Sequence, residues 1–322
     1  YLSQADRYSR LNSDTSLLFI RKALNISLKL KSPGLTSLAV QKLGDYYISR
    51  EMYQEAMSCY LKCLTIEEKR NEEKRTADLY DALGTVYFYM EVFDKSLDYY
   101  QKALAIYRSE NDTSGIAQSL SHLGLLHSSR EYCERRSEEE KLVDFQTAIG
   151  FYEQSMQFSS LAGDEPGIAK GNQNMAAVYN KLKKPKVALG YIQKSLDYYR
   201  KADDPEGILG ALYTLGKTYY ILKDYSKSIE AYKESEKMAL ERNLTGGIQY
   251  LYEALAMPYY DMQDYRNAYD CYIKYMTIRD SVYNSEKSQQ ILELETRYES
   301  ELKQKEIMRL TAETKRRNAL IY

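Results

Sequence analysis

The stretches LAVQKLGDYY (38–47), DLYDALGTVY (78–87) and LYTLGKTYY (212–220) share one pattern: a large apolar residue, a small one, and an aromatic three positions later. SLSHLGLLHS (119–128), NQNMAAVYN (172–180) and YEALAMPYY (252–260) follow the same rule, so the small position falls at Gly44, Gly84, Gly124, Ala176, Gly216 and Ala256. The intervals are 40, 40, 52, 40 and 40 residues. Self-similarity at a fixed period marks a repeat architecture, and it takes precedence over any local reading. Twelve residues after each small position comes a second one, at Ala56, Ser96, Ala188, Ser228 and Ala268. In the third repeat it is delayed to Ala148, so the long interval is one repeat plus a twelve-residue insertion.

Within each repeat the apolar residues recur at helical spacing. Val40, Leu43 and Tyr47 lie on one face of a first helix, as do Leu212, Leu215 and Tyr219; Tyr53, Ala56, Tyr60 and Leu64 mark a second. Each repeat therefore reads as a helical hairpin. Between hairpins, NDTSG (111–115), GDEPG (163–167), DDPEG (203–207) and RNLTGG (242–247) place an Asp or Asn and a Gly where one helix stops and the next is capped. The small residues let helices approach closely. Cys59 and Cys63, one turn apart, read as small buried hydrophobes.

Composition agrees. Of 322 residues, 44% are hydrophobic and 28% charged, with 15 Gly and 5 Pro, too few for a chain of many strands and tight turns. The net charge of -1 gives no overall footprint for nucleic acid or an anionic membrane. The 34 Tyr, against 6 Phe and no Trp, put a polar handle on most large rings, so many of them should be half-buried. Four scattered cysteines do not make a disulfide framework.

The run of Leu43-Gly44, Tyr47, Ala56 and Tyr60, repeated six times, resembles the tetratricopeptide repeat. The resemblance implies an all-α fold, an α-solenoid in which hairpins stack into a right-handed superhelix. It covers residues 36–283. Shifting the first repeat back by 40 puts Ser16, Ile20, Ala23 and Leu24 on second-helix positions, so residues 1–35 read as a divergent capping repeat. The repeat is longer than the family's usual unit, which implies longer helices, and Pro258 falls inside the last first-type helix, where a kink is expected. In this family the first helices line the concave wall. Counting from the small residue, the resemblance places Lys170, Gln173, Asn180 and Lys181 there in the fourth repeat, Tyr213, Lys217 and Tyr220 in the fifth, and Tyr250, Glu253, Tyr260 and Asp261 in the sixth. Aromatics interleaved with a few charges and amides suit a protein or peptide ligand. The family's carboxylate clamp for an acidic chain terminus is not matched.

No phosphate-binding loop, nucleophile elbow, zinc-protease motif or Gly-rich dinucleotide turn is present in the sequence, so no enzymatic activity, cofactor or metal is expected. His122 and His127, five apart, point to different helix faces. The insertion near 129–141 mixes Arg130, Arg135 and Arg136 with Glu134, Glu138, Glu139 and Glu140, and such mixed charge is expected to be solvated. Residues 284–322 carry a narrow apolar seam, Ile291, Leu294, Tyr298 and Leu302, on a long charged helix that either packs on the last repeat or pairs with a second copy. That segment, together with the array, resembles the extracytoplasmic sensor part of membrane-anchored bacterial regulators of the histidine kinase or helix-turn-helix type. Under that resemblance the array is periplasmic, a signal peptide precedes Tyr1, a membrane span follows Tyr322, and no nucleic acid binds to this region. The alternative is a cytoplasmic adaptor for a partner protein or signalling peptide.

Overall fold

The computed structural model describes residues 1–9, 13–134, 136–244 and 247–280. Among the described residues every regular element is an α-helix, and the chain divides into two compact units, Tyr1–Lys223 and Asp224–Tyr322. The division falls inside the fifth repeat. The N-terminal unit holds α1 (Leu2–Ser9), α2 (Ser13–Lys29), α3 (Pro33–Ser49), α4 (Tyr53–Arg70), α5 (Glu73–Tyr89), α6 (Phe93–Ser109), α7 (Thr113–Ser128), α8 (Arg130–Glu134), α9 (Glu138–Ala162), α10 (Glu165–Lys181), α11 (Pro185–Lys201) and α12 (Pro205–Ile221). The C-terminal unit holds α13 (Tyr225–Glu241), α14 (Ile248–Asp261) and helical residues 265–280. In the first hairpin, Ser16 and Ile20 of α2 are buried, as the shifted register requires. The seam residues Ile291, Leu294, Tyr298 and Leu302, and the rest of 284–322, lie outside the described residues.

The forty-residue repeat is two copies of a twenty-residue module. A typical helix has 17 residues, as α5, α6, α10 and α11 do, and three residues connect it to the next. Eleven of the turns carry a residue with positive φ just after the helix: Lys31, Glu51, Asn71, Glu91, Asn111, Gly163, Lys183, Asp203, Lys223, Asn243 and Gln263. The following N–H then bonds back five residues, as in Glu72 N to Glu67 O (3.2 Å) and Asp204 N to Tyr199 O (3.0 Å). This closes the helix carbonyls. The same residue opens the next helix: Asp112, Asp164 and Asp204 accept from the N–H of Gly115, Gly167 and Gly207 at 3.0–3.2 Å. A cap of this kind contributes about 1 kcal/mol.

Of the described linker glycines only Gly163 ends a helix, α9. Asn111, Asp203 and Asn243 do so in the other three linkers, and Gly115 and Gly207 sit in the first turn of the next helix. A Cβ there would fall 2.3 and 2.2 Å from the rings of Tyr107 and Tyr199.

The same close approach holds each hairpin together. A Cβ on Gly44, Gly84 or Gly124 would lie 2.7, 2.6 or 2.7 Å from the ring of Tyr60, Tyr100 or Tyr152, sixteen helical positions later once the insertion is discounted. Those rings are buried, and where the fourth repeat has Ala176, the ring is replaced by Ile192, also buried. The next hairpin covers this layer. Leu79, Leu83 and Val86 of α5 pack on Tyr60, Leu120 and Leu123 of α7 on Tyr100, and Met175 and Val178 of α10 on Tyr152. A fully buried side chain of this size contributes about 1.5–3 kcal/mol.

The insertion forms α8 and lengthens α9 to 25 residues. Its carboxylates Glu134, Glu138, Glu139 and Glu140 are solvated, whereas Arg136 is half-buried. Tyr132 places its ring edge-on to Phe93 and His127, each at 5.6 Å between centroids, and Arg136 lies over it at 4.5 Å. Arg136 and His127 both face the buried Asp144 carboxylate, at 3.5 and 2.9 Å. A buried charge without partners would be expelled or neutralised, and the Arg136 cation together with the His127 ring nitrogen gives it partners. The acidic run begins α9: Ser137 and Glu140 form a capping box, and Glu138 and Glu139 sit at the positive end of the helix. Arg135 lies outside the described residues.

Gly84→Ala is expected to destabilise the chain by about 1–3 kcal/mol, because the Tyr100 ring has nowhere to move. With Tyr100→Ile added, as Ala176 and Ile192 already pair, the loss should be smaller than the sum of the two single losses by about 1 kcal/mol or more. Urea unfolding of the four chains measures this. Strictly additive losses would show that the ring does not rest on that glycine.

Candidate functional site

Within the N-terminal unit the first helices of successive hairpins neighbour one another, α5 beside α7, α7 beside α10 and α10 beside α12. They form a polar wall. At its N-terminal end, Gln41 and Asp45 of α3, Asp78, Asp81, Ala82 and Thr85 of α5, and Gln118 and His122 of α7 line a cavity of about 450 Å³, with Ile48 and Tyr60 at its edge. Counted from Gly44, Gly84 and Gly124, most of these occupy the offsets -6, -3 and +1 used to choose residues in repeats four to six. The same count in the first three repeats would have found them.

The carboxylates have different tasks. Asp81 is buried and bridges to α7: it accepts from Gln118 Nε2 (2.8 Å) and Ser119 Oγ (3.1 Å), and faces His122 Nδ1 at 3.0 Å. It ties two repeats together. Asp45 is exposed and accepts from the Tyr60 hydroxyl (2.8 Å). Asp78, half-buried, accepts from the Tyr107 hydroxyl (2.7 Å), with Arg75 at 3.9 Å. Burial and these carboxylate acceptors push the Tyr60 and Tyr107 hydroxyls far above their ordinary pKa, so both remain donors. Burial also holds the Asp78 carboxyl above the usual carboxylate range, although the Tyr107 hydrogen bond and Arg75 pull it down.

At the other end of the wall the sequence-predicted residues divide. Lys170 and Lys217 are exposed, on the neighbouring helices α10 and α12. Gln173 is half-buried and reaches α12, where its Nε2 lies 2.8 Å from the point a Cβ on Gly210 would occupy. Tyr213 and Tyr220 are half-buried. Asn180 is buried and its amide donates to Thr218 Oγ1 (2.9 Å), so it fastens α10 to α12. Lys181 is exposed, donates to the Ser128 carbonyl oxygen and lies over Phe145 at 5.9 Å, which also links α10 to the preceding hairpin. Both contacts span repeats, and a count along one helix does not reveal them.

Tyr250, Glu253, Tyr260 and Asp261 belong to the C-terminal unit, exposed on α14. The Tyr260 ring stands edge-on to Tyr265 at 5.5 Å. A second hollow of about 620 Å³ in this unit is lined by Lys233, Leu255, Tyr259, Tyr269, Cys271 and Lys274, among others. In two hairpins of the N-terminal unit the aromatic of the first helix stacks on one from the second, Tyr87 on Tyr99 and Tyr179 on Tyr191 at 5.4 and 5.5 Å, whereas the sixth repeat has Cys271 at that position.

His122 and His127 serve different carboxylates, and no group of three or more His, Cys, Asp or Glu suited to a metal ion occurs among the described residues. Cys59 and Cys63 are buried, and burial pushes the Cys63 thiol up to about 12, which suits small packing groups.

Because the folded chain binds the Asp78 proton more tightly than the unfolded chain, this group's contribution favours folding on the acid side and is lost as pH rises through its raised pKa. Asp78→Asn, which keeps an acceptor for Tyr107, should therefore gain stability relative to the native chain as pH rises from the ordinary carboxylate range to neutrality. Urea midpoints across that range test it. A constant difference would mean that Asp78 titrates alike in both states.

The tetratricopeptide repeat profile matches residues 34–109, 75–135 and 167–241. A comparison with curated protein sequences gives no match. Among solved structures the chain is similar to aspartyl phosphate phosphatase F from Bacillus subtilis, at 14% identity and a TM-score of 0.67, over 86% of this chain and 69% of that one. It is also similar to NprR in complex with its cognate peptide NprX, at 16% identity and a TM-score of 0.60, over 84% of this chain and 75% of that one. A third likeness is to the STAND signal-transduction ATPase PH0952 from Pyrococcus horikoshii, which has a tetratricopeptide repeat sensor, at 18% identity and a TM-score of 0.61, over 88% of this chain and 43% of that one. At such identities the likeness is one of fold. The profile covers more than half of the chain and its repeats fall on the observed hairpins, so the chain belongs to the tetratricopeptide repeat family.

Proposed function

We propose that the N-terminal unit is a non-enzymatic module that binds an extended segment of a peptide or partner protein along its first-helix wall. The observation that carries this reading is the charge pattern of the wall. Asp45 and Asp78 stand at the cavity formed by α3, α5 and α7, and the exposed Lys170 and Lys217 stand on α10 and α12. Such a wall suits a segment that brings a basic side chain to the α3–α7 end and an acidic group to the α10–α12 end. Gln41, Gln118 and Gln173 supply amides for its backbone. Asp78 supports the reading in another way: a carboxyl that stands in a cavity where burial disfavours its charge is a candidate for contact with a ligand.

The likeness to NprR in complex with a cognate peptide is consistent with this use of the fold. The narrower reading, the sensor part of a signal-transduction or transcription regulator, is favoured by one comparison, the STAND protein with its tetratricopeptide repeat sensor. No helix among the described residues is long and apolar enough to cross a membrane.

A displayed library of random twelve-residue peptides, selected on the immobilised full chain, tests the proposal. Enriched peptides should carry Lys or Arg. Their affinity should fall at least about tenfold with Asp45→Asn and Asp78→Asn together, a loss of about 1.4 kcal/mol, and should weaken as salt rises. No enrichment, or peptides that bind the double variant equally well, would refute it.

A further inference from the structure

Second helices begin nine residues after the small position, at Tyr53, Phe93 and Pro185. By that count, with the insertion discounted, α9 would begin at Phe145, so residues 138–144 are extra turns. These turns are built inside out. The inward residue is a carboxylate, Asp144, 6% exposed beside Arg136 and His127, whereas Leu142 and Val143 are 49% and 61% exposed. Single exposed apolar residues are ordinary, but Glu139, Leu142, Val143 and Gln146 follow the i, i+3, i+4, i+7 spacing and form one exposed stripe. Farther along, α9 turns Ala148, Tyr152 and Ser155 inward in the usual way.

The next hairpin brings the opposite charge to this stripe. From Pro166 to Leu196 the sequence has six lysines and no Asp or Glu, so nothing on α10 or the start of α11 offsets them. Lys183, Lys184 and Lys186 are exposed where α10 passes into α11, and Val187 beside them is 43% exposed. This turn adjoins the extra turns of α9. Lys181 lies over the Phe145 ring at 5.9 Å, and the Glu138 carboxyl is held below its ordinary range by Lys141 first and also by Lys183. One edge of the N-terminal unit thus carries acidic residues, apolar residues and lysines side by side. A partner of a single charge would be repelled by half of it. A second copy, turned by a two-fold rotation, sets each acidic end on the other's lysines and brings the apolar residues together. We propose that this edge, Glu138, Glu139, Leu142 and Val143 with Lys183, Lys184 and Lys186, is a self-association surface through which two copies of the chain pair. It uses none of the wall residues Asp45, Asp78, Lys170 and Lys217.

Light scattering on the full chain over a concentration series tests this, and the native chain should approach the mass of two copies. Glu138→Lys with Glu139→Lys, and separately Lys183→Glu with Lys184→Glu and Lys186→Glu, should each weaken association at least about tenfold, because like charges then meet. An equimolar mixture of the two variants should recover the native mass, since each presents the charge that the other requires. Circular dichroism checks that both variants keep their helices. A native chain that stays monomeric, an association that survives either reversal, or a mixture that stays monomeric would overturn the proposal.

Discussion

A tyrosine ring resting where a glycine has no Cβ is the contact on which the array depends. Tyr60, Tyr100 and Tyr152 each occupy the space beside Gly44, Gly84 and Gly124, and any side chain at the glycine would have to share it. The contact brings the two helices of a hairpin together in one register and leaves the ring's other side flat for the next hairpin. Leu83, Leu123 and Met175, each one residue before the next small position, close that side. Where a methyl group appears, at Ala176, the ring gives way to Ile192, as a volume-conserving exchange requires.

Fixing the register fixes what the first helices present. Residues forty apart face alike, so a polar side chain at one offset recurs as a wall. Part of that wall holds the array together. Asp81 accepts from Gln118 and Ser119 of the next first helix, and Asn180 donates to Thr218. Buried polar groups of this kind hold neighbouring repeats in one alignment, because a shift would leave them unsatisfied. Charge remains at both ends of the wall, acidic at the exposed Asp45 and the half-buried Asp78 and basic at the exposed Lys170 and Lys217. The stability given up at Asp78, whose charge burial disfavours, is understandable if that charge meets a ligand.

The hairpins, their boundaries and the insertion point were legible in the sequence, because the small residue and the ring recur at a fixed interval and each has one packing task. The chemistry of the turns was less so. Glycine marks a helix end in most sequences, yet Gly115 and Gly207 are there to admit Tyr107 and Tyr199, while Lys183 and Glu51 take the left-handed turn without help from glycine. The wall was half legible. Counting offsets finds which residues share a face, and applied to repeats four and five it found Lys170 and Lys217. It also selected Asn180 and Lys181, whose partners lie 38 and 53 residues away on other hairpins. In the charged insertion, Arg136 is hidden from such a count in the same way: its partner is Asp144, a residue that only the folded chain brings beside it.

The central claim is that ligand recognition resides on the first helices of the N-terminal unit. Amide hydrogen exchange on the full chain, with and without a peptide selected against it, tests this most directly. Added protection is predicted in the first-helix stretches 38–47, 78–87 and 118–127, with little change in α4, α6 and α11. Protection confined to second helices, or to α13 and α14, would contradict it.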